Sequence, residues 1–361
     1  MQSPHVVVAG GGTAGHIEPA MAVAEELRGR GANVIALGTS RGLEQTIVPA
    51  RGFDLKLIDP VPVPRKINAD LFKLPFRLLR TVKQTRDVLK AHDASVLIGF
   101  GGYVSAPGYL AAKTLGIPYI VHEANARSGM ANKLGVRMGG LGLNAVAGSG
   151  MPGRVVGIPI RNTLKVNSEA RERGLRTWGL DPARKTVLVT GGSQGAASIN
   201  RAVAGGIDSL LSQGYQVLHS YGAKNDVPCA REHYVPVPYI EDMAAAYSVS
   251  DLIVCRAGAM TVAENTAAGI PAIYVPLPHG NGEQGLNAAD IVAAGGAILI
   301  DDESFDGDAC ATSVGKILSE PEIYRTMKEA VAHSQAGNAA AIIADIVYHI
   351  VKDHDAEHLP A

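Results

Sequence analysis

The residues whose types and spacing are best suited to binding a ligand lie close together in the stretch 251–288. A short apolar run, Asp251 to Cys255, is followed by the turn Arg256-Ala-Gly-Ala-Met and a helix predicted to begin near Thr261. The free N–H groups of a helix's first turn bind anions such as phosphate. Glu264, just inside this helix, would repel phosphate but can accept hydrogen bonds from a ribose diol.

The loop after the next strand is rich in amides and glycine. The apolar run Pro271 to Pro278 precedes His279-Gly-Asn-Gly-Glu-Gln-Gly-Leu-Asn287. Amide side chains and backbone N–H groups suit neutral hydroxyls better than a charged ligand. Phosphate, ribose and sugar sites in one stretch indicate a nucleotide-sugar ligand.

Alternating strands and helices must position these residues, and both halves of the chain show that pattern. Short apolar runs, predicted as strands, alternate with helical patterns, many of which end at glycine. The predicted strands are 5–9, 33–37, 54–58, 95–98 and 118–122 in the first half, and 186–190, 216–220, 234–237, 251–255, 271–275 and 297–300 in the second. This predicts an α/β fold of two doubly wound parallel-sheet domains, with a ligand site at the carboxyl ends of the strands, in the cleft between the domains. We expect residues 1–161 to form the first domain and 162–336 the second, with the last helix, in 337–361, packing back on the first.

The bulk composition excludes several function classes. The 361 residues carry a formal net charge of −1, which gives no general attraction to nucleic acid. The three cysteines are far apart without metal-binding spacing, which favours a reducing cytoplasm. No secretion signal and no apolar run of membrane-spanning length is visible, so we expect neither secretion nor a membrane span.

The first glycine turn, Gly10-Gly-Gly-Thr-Ala-Gly15, is followed by His16 and by a helix predicted from Ile17 to Arg30. Its G-x-G-x-x-G spacing fits a dinucleotide site, but the second strand ends in Leu37-Gly-Thr-Ser, without the acidic residue that would bind a ribose. A hydride-transfer enzyme is therefore disfavoured. His16 is either a hydrogen-bonding residue at the helix start or a general base.

Three further loops follow predicted strands. Gly191-Gly-Ser-Gln-Gly-Ala196 places Ser193 where its hydroxyl can reach a phosphate, although a simple tight turn is the alternative. Gly99 to Gly108 would let a large acceptor approach backbone N–H groups, and His122-Glu123-Ala-Asn125 offers three polar side chains at the same edge. Their convergence on one site is a stronger signal than any one loop.

A basic and apolar segment runs from Arg65 to Lys90. Eight Lys and Arg residues oppose two Asp, and Leu and Phe side chains are interleaved with them. A crossover helix with a solvated basic face explains much of this composition. The number of apolar side chains also fits docking on anionic lipid headgroups.

Metal ligation is not expected. The D-x-D-like residues from Asp301 to Asp308 read as a helix start, where acids are common. Helix N-termini and either Arg161 or Arg256 would then neutralise a leaving pyrophosphate.

These motifs together resemble a known family. GGGTAGH, GFGGYVSAPG, HEAN, GIPIR, GGSQGA, YIEDMAAAY, CRAGAMTVAE and HGNGEQGLNA are similar, in order and over nearly the whole chain, to motifs of the MurG family. That family comprises UDP-N-acetylglucosamine:lipid I N-acetylglucosaminyltransferases of bacterial peptidoglycan synthesis, which have the GT-B fold. At Ala14 and Ile158 the chain differs from the commoner family pattern.

The resemblance implies a role for particular residues. His16 would be the catalytic base, while Gly102, Tyr103 and Ser105 would bind the acceptor. Membrane-facing residues would be Phe72, Lys73, Phe76, Arg77 and Arg80. The donor UDP-GlcNAc would be bound by Thr13, Ala14, Gly15, Asn125, Arg161, Ser193, Ile240, Ala259, Met260, Thr261, Val262, Glu264, Gln284 and Asn287. Within that set Glu264 would bind the ribose, and Gln284 and Asn287 the GlcNAc hydroxyls.

The implied activity is inverting transfer of GlcNAc to the C4 hydroxyl of MurNAc in lipid I, giving lipid II. No cofactor or essential divalent cation is expected. The implied partners are lipid I, an anionic membrane surface at the cytoplasmic face of the cell membrane, and other cell-wall synthesis proteins. A UDP-GlcNAc 2-epimerase, a small-molecule UDP-sugar glycosyltransferase and a non-catalytic nucleotide-sugar sensor remain alternatives.

Overall fold

The computed structural model describes residues 3–61, 69–161, 164, 166–192, 195–278, 282–334 and 338–357, without the side chains of 69–73 and 355–357. The chain divides into two compact units. The first comprises Met1–Arg161 and Gly337–Ala361, and the second comprises Asn162–Ala336.

The first unit is built on a seven-stranded parallel sheet in the order β3-β2-β1-β4-β5-β6-β7. The strands are β1 (His5–Gly10), β2 (Asn33–Thr39), β3 (Asp54–Ile58), β4 (Val96–Gly101), β5 (Tyr119–Glu123), β6 (Leu141–Asn144) and β7 (Arg154–Val155). Val6, Val7 and Val8 of the central strand are fully buried, as expected for a parallel sheet covered on both faces.

The helices of the first unit include the last helix of the chain. They are α1 (Ala14–Gly29), α2 (Glu44–Ala50), α3 (Ala69–Ala91), α4 (Ser105–Leu115), α5 (Met130–Arg137) and α14 (Ala339–Glu357). Ile343 and Val347 of α14 are fully buried in the same hydrophobic cluster as Val6. The Tyr348 hydroxyl also donates to the carbonyl of Arg30, just after α1, at 2.8 Å.

The second unit contains a six-stranded parallel sheet in the order β10-β9-β8-β11-β12-β13. Its strands are β8 (Thr186–Thr190), β9 (Gln216–Ser220), β10 (Tyr234–Val237), β11 (Leu252–Cys255), β12 (Ala272–Tyr274) and β13 (Ala297–Leu299). Its helices are α6 (Ser168–Trp178), α7 (Ala197–Ser212), α8 (Met243–Val249), α9 (Ala259–Ala267), α10 (Glu283–Asn287), α11 (Ala289–Ala293), α12 (Gly307–Ser319) and α13 (Pro321–His333).

A buried histidine links β9 to its neighbours in the second unit. His219 Nδ1 lies 2.8 Å from the Tyr234 hydroxyl and its Nε2 lies 3.0 Å from Asn200 Oδ1. The Asn200 oxygen can only accept, so Nε2 carries the proton and Nδ1 accepts from the tyrosine. Burial lowers the pKa of His219 to about 4.

In each sheet the strand order reverses beside the first strand, between β1 and β4 and between β8 and β11. Open parallel sheets bind ligands at such switch points, outside the carboxyl ends of the strands. The loops that leave these four strands carry the predicted glycine turns and the start of α9. The topology therefore places the predicted site residues of each unit at the expected edge of its sheet.

The predicted element boundaries were wrong at two functional helices. α1 begins at Ala14, whereas the sequence predicted Ile17, and α9 begins at Ala259 instead of near Thr261. His16 therefore lies inside the first turn of α1. Strand β6 was not predicted, because its Leu-Gly-Leu-Asn sequence lacks the β-branched residues typical of a strand.

Candidate functional site

His16 lies half-buried in the first turn of α1, and its ring is hydrogen-bonded to the loop before it. Its Nδ1 lies 3.2 Å from the Gly11 carbonyl oxygen and 3.2 Å from Thr13 Oγ1. A carbonyl oxygen only accepts hydrogen bonds, so Nδ1 carries the proton. In the neutral imidazole Nε2 is then the acceptor, which is the form a general base needs.

The loop after β4 packs directly against His16 and the loop after β1. A Cβ atom at Gly101 (φ +104°) would lie 2.9 Å from His16 Nε2, and one at Gly102 (φ +83°) would lie 2.2 Å from the Gly11 oxygen. Both the positive φ and the close approach require glycine. The two predicted loops therefore pack together, with His16 Nε2 next to the Gly101 backbone and Gly102 against Gly11.

Tyr103 and Ser105, predicted to bind the acceptor, have different environments. Tyr103 is 52% exposed, whereas Ser105 is fully buried. The Ser105 hydroxyl accepts from Gly101 N at 2.9 Å and donates to Gly101 O at 2.8 Å. Ser105 therefore shapes the loop, and Tyr103 is the side chain that the loop presents.

The HEAN motif offers one side chain at the sheet edge, and the prediction of three was wrong. His122 is fully buried, with Nε2 bonded to the Gly157 oxygen at 2.9 Å, and burial lowers its pKa. Glu123 is also buried and accepts hydrogen bonds from Asn125 N, Asn125 Nδ2 and Gly129 N. Asn125 alone remains partly exposed, held in place by Glu123.

Arg161 is the last residue of the first segment of the first unit, and it pairs with α1. Its Nε lies 3.4 Å from Glu18 Oε2, and Arg51 Nη2 lies 2.9 Å from the same oxygen. Glu18 follows His16 by two residues, so this ion-pair cluster connects Arg161 with the helix that carries His16.

Glu264 lies in the second turn of α9, which starts at an extended Gly258. The first-turn residues Ala259, Met260 and Thr261 all lie within the described part of the chain and include no acid, so the free N–H groups of this turn keep their positive field. Val262 faces the core and is 8% exposed.

The Tyr247 hydroxyl donates to Glu264 Oε2 at 3.0 Å, and orients the carboxylate. Burial, and secondarily the Glu264 charge, raises the pKa of Tyr247. No role was predicted for Tyr247 from the sequence. Tyr247 and Glu264 are 17 residues apart, so their contact could not be inferred from spacing. The sequence pointed to Tyr247 only as the last residue of the motif YIEDMAAAY.

The predicted sugar-contacting amides are partly engaged within the protein. Gln284 Oε1 accepts from Leu277 N at 3.0 Å, which closes the base of the loop and leaves the Gln284 amide N–H groups for a ligand. Asn287 is 8% exposed, and its Nδ2 donates to the Ala257 oxygen at 3.3 Å. Ile240 is 3% exposed, so its side chain packs in the core of the second unit.

Parts of two predicted loops lie outside the described residues. These are Ser193 with Gln194, and His279 with the two residues that follow it. The described flanks show α7 beginning at Ala197, directly after the 191–196 turn.

Arg256 was wrongly predicted to be available for a leaving pyrophosphate. Its Nη1 donates to the Val275 and Pro276 oxygens, both at 3.1 Å, and pairs with Asp302, while Nη2 donates to Ser198 Oγ at 2.8 Å. Burial alone would raise the pKa of Asp302, but hydrogen bonds from Ser198 and Arg256 hold it below its ordinary value. Arg256 therefore braces the loop after β12 against the start of α7.

The acidic segment near Asp306 is a helix start, as the sequence predicted. Asp306 is the N-cap of α12, and its Oδ1 accepts from Ala309 N at 2.9 Å. Within the described ranges, no group of three or more His, Cys, Asp or Glu side chains is arranged to hold a metal ion.

Helix α3 exposes apolar and basic side chains together. Phe76 and Leu79 are 75% and 67% exposed, and Arg77 and Arg80 are exposed beside them. Arg80 Nε lies 3.1 Å from Asp59 Oδ2. The side chains of Phe72 and Lys73 are outside the described residues. Of the helices that the structure describes, none combines the length and apolar character needed to cross a membrane.

Comparison with known proteins identifies the family. Residues 6–139 match the glycosyltransferase family 28 N-terminal domain, and residues 186–343 match the C-terminal domain of that family. The chain is 67% identical to a UDP-N-acetylglucosamine--N-acetylmuramyl-(pentapeptide) pyrophosphoryl-undecaprenol N-acetylglucosamine transferase of Corynebacterium diphtheriae, over 98% of this chain and 99% of the relative. The chain belongs to the MurG family of glycosyltransferases.

More distant relatives agree with this assignment. The transferase of the same description from Mycolicibacterium smegmatis is 48% identical over 96% of this chain and 94% of the relative. The crystal structure of Acinetobacter baumannii MurG matches with a TM-score of 0.78 at 28% identity, over 96% of this chain and 99% of that one. The glycotransferase of kitacinnamycin, with a TM-score of 0.68 at 15% identity over 97% of this chain and 100% of that one, shares the fold alone. The fold is GT-B, with two Rossmann-like domains, and the protein is a glycosyltransferase.

Proposed function

We propose that the protein transfers GlcNAc from UDP-GlcNAc to the C4 hydroxyl of MurNAc in lipid I, giving lipid II for peptidoglycan synthesis. The observation that carries this proposal is the 67% identity over 98% of the chain to the Corynebacterium diphtheriae transferase. The site geometry adds a histidine in the tautomer of a base and an anion-binding helix start followed by an oriented carboxylate.

In this proposal the donor binds mainly to the second unit. The diphosphate meets the first turn of α9 and Ser193, while the ribose hydroxyls donate to Glu264. The uracil contacts the main chain of Ile240, and the Gln284 amide binds a GlcNAc hydroxyl. Asn287 supports the sugar site through its bond to the Ala257 carbonyl.

The reaction is an inverting displacement at the anomeric carbon. The acceptor's C4 oxygen forms a bond to C1 of GlcNAc as the bond from C1 to the UDP oxygen breaks, and UDP leaves with the electron pair. His16 Nε2 takes the proton of the C4 hydroxyl. The positive field at the α9 N-terminus stabilises the charge that develops on UDP. No divalent cation is required for either step.

The first unit receives the lipid-linked acceptor. The Gly101 backbone lies beside His16, and the exposed Tyr103 follows in the same loop. The family resemblance also implies donor contacts for Thr13 to Gly15 and Asn125. Exposed Phe76 and Leu79, flanked by Arg77, dock on the anionic inner surface of the cytoplasmic membrane. Association with other cell-wall synthesis proteins stays a prediction.

One assay separates this function from its alternatives. The enzyme is incubated with labelled UDP-GlcNAc, with and without a lipid I analogue, in excess EDTA and in excess Mg²⁺. We expect a lipid-linked GlcNAc product that needs the acceptor and forms in EDTA. Free ManNAc would indicate an epimerase, binding without turnover would indicate a sensor, and loss of activity in EDTA would contradict the metal-independent mechanism.

A further inference from the structure

One peptide group connects His16 with the interior of the first unit. The carbonyl of Gly11, which accepts from His16 Nδ1, and the N–H of Gly12 belong to the same peptide bond. The Gly12 N–H donates to Glu44 Oε2 at 3.0 Å. A single rigid plane therefore has His16 on its oxygen side and a carboxylate on its N–H side.

Glu44 is held on several sides. It is the first residue of α2 and is fully buried. Its other oxygen, Oε1, accepts from Thr39 N at 2.8 Å and from Thr39 Oγ1 at 2.9 Å. The carboxylate thus bridges the end of β2 and the loop after β1.

The backbone around Glu44 makes room for its side chain. A Cβ atom at Gly42 would lie 1.8 Å from Glu44 Oε2, one at Gly38 would lie 2.6 Å from its Cγ, and one at Gly11 would lie 3.0 Å from Oε1. The carboxylate therefore occupies a space that side chains at these three positions would fill.

The hydrogen bonds also keep this buried group charged. Burial alone would raise the pKa of Glu44, but the donors on Gly12 and Thr39 outweigh it and hold the pKa below its ordinary value. A charged acceptor forms a stronger hydrogen bond than a neutral one, so the Gly12 N–H is firmly oriented. Polarisation along a chain of hydrogen bonds then strengthens the bond from His16 Nδ1–H to the Gly11 oxygen.

We propose that Glu44 is a positioning residue for His16, which acts through the Gly11–Gly12 peptide to fix the ring orientation and to keep the proton on Nδ1. Nε2 is thereby held as the proton acceptor beside the 101–103 loop. The expected effect of Glu44 on the reaction rate rests on the proposed role of His16 as the base. Its expected effect on the His16 tautomer does not depend on that role.

Two variants perturb this arrangement in different ways. Glu44→Gln keeps the shape, but if its oxygen stays on Thr39, its amide NH₂ faces the Gly12 N–H and that hydrogen bond is lost. Gly42→Ala keeps the charge and displaces the carboxylate, because the new methyl group would lie 1.8 Å from Oε2. Glu25→Gln is the matched control, since Glu25 pairs with Arg51 at 2.9 Å and makes no contact with this peptide.

Steady-state kinetics with UDP-GlcNAc and a lipid I analogue measure the catalytic effect. We expect Glu44→Gln and Gly42→Ala to lower kcat about 10- to 100-fold, a part of the effect of removing a general base. The KM for UDP-GlcNAc should change less than about twofold, since the donor binds mainly to the other unit, and Glu25→Gln should match the wild type in both constants.

Nitrogen-15 NMR of histidine-labelled full-length protein, recorded where His16 is neutral, measures the tautomer directly. The His16 signals are assigned by their loss in His16→Gln. We expect a protonated Nδ1 in the wild type and in Glu25→Gln, and a mixture of tautomers in Glu44→Gln and Gly42→Ala. Should Glu44→Gln be isolated unfolded, Gly42→Ala decides the question by the same two measurements.

The two proposals fail in different ways. If His16→Ala kept full turnover, His16 would not be the base, while the NMR result would still test the connection to Glu44. If His16→Ala were inactive but both Glu44→Gln and Gly42→Ala kept the wild-type kcat and tautomer, the positioning role of Glu44 would be overturned. An equal effect in Glu25→Gln would also overturn it.

Discussion

Replacing Glu264 with Gln tests the proposed ribose site most directly. The carboxylate is oriented by the Tyr247 hydroxyl at 3.0 Å and follows the first turn of α9, where we propose that the diphosphate binds. A hydrogen bond to a charged group contributes about 1.5–3 kcal/mol, and the amide replaces one charged acceptor oxygen with a donor. The variant should therefore bind UDP-GlcNAc about 10- to 150-fold more weakly.

Calorimetry with two ligands shows whether the binding free energy lost in Glu264→Gln comes from contacts with the ribose hydroxyls. UDP-GlcNAc is compared with its 2′,3′-dideoxyribose analogue on the wild type and on Glu264→Gln. We expect removal of the diol to weaken binding to the wild type strongly and to the variant much less. If both proteins lost affinity by the same factor, Glu264 would not contact the diol.

Tyr247→Phe is the companion variant, because it keeps the Glu264 charge and removes one hydroxyl that orients the carboxylate. Loss of one ordinary hydrogen bond, about 0.5–1.5 kcal/mol, predicts binding about two- to tenfold weaker. A loss as large as that of Glu264→Gln would instead indicate that the second unit is disrupted, which thermal denaturation would reveal.

Three further predictions concern other parts of the molecule. His16→Ala should lower kcat at least about 100-fold while UDP-GlcNAc binding by calorimetry is unchanged, and near-normal turnover would remove His16 from the mechanism. Phe76→Ser with Leu79→Ser should weaken cosedimentation with phosphatidylglycerol vesicles at least about tenfold, because each buried side chain contributes about 1.5–3 kcal/mol, whereas Val227→Ser, at a 73% exposed position of the second unit, should bind like the wild type. His219 has a pKa of about 4 in the folded protein and about 6.5 in the unfolded chain. As the pH falls, the unfolded chain therefore binds a proton at His219 before the folded protein does. The free energy of unfolding should thus fall by up to about 3 kcal/mol between pH 7 and pH 4, and a denaturation series in which His219→Gln kept the same pH slope would contradict this.

The sequence predicted the sheet architecture because that information is local. Buried parallel strands appear as apolar runs, and the bounds predicted for 54–58, 186–190, 216–220 and 234–237 match the observed strands. The glycine turns were placed correctly at the ends of β1, β4 and β8 because tight strand-to-helix turns select glycine.

The sequence could not show which polar side chains are used within the protein. Arg256 contacts Asp302, which is 46 residues away, and Glu44 reaches Gly12 across 32 residues. Such partners depend on how the strands are ordered in the sheet, which residue type and spacing do not encode. Arg256 was therefore misjudged as free for a ligand, and Glu44 was overlooked.

The return of α14 to the first unit has a consequence for biosynthesis. Domains generally fold in the order in which they leave the ribosome, but the hydrophobic cluster around Val6 is covered by Ile343 and Val347 of α14, which follows the whole second unit in sequence. The second unit, encoded between the two segments of the first, has its complete sequence available earlier. The unit that carries His16 is thus completed only after the second unit has been synthesised, and a nonsense mutation just before α14 would remove part of its core while leaving the sequence of the second unit whole.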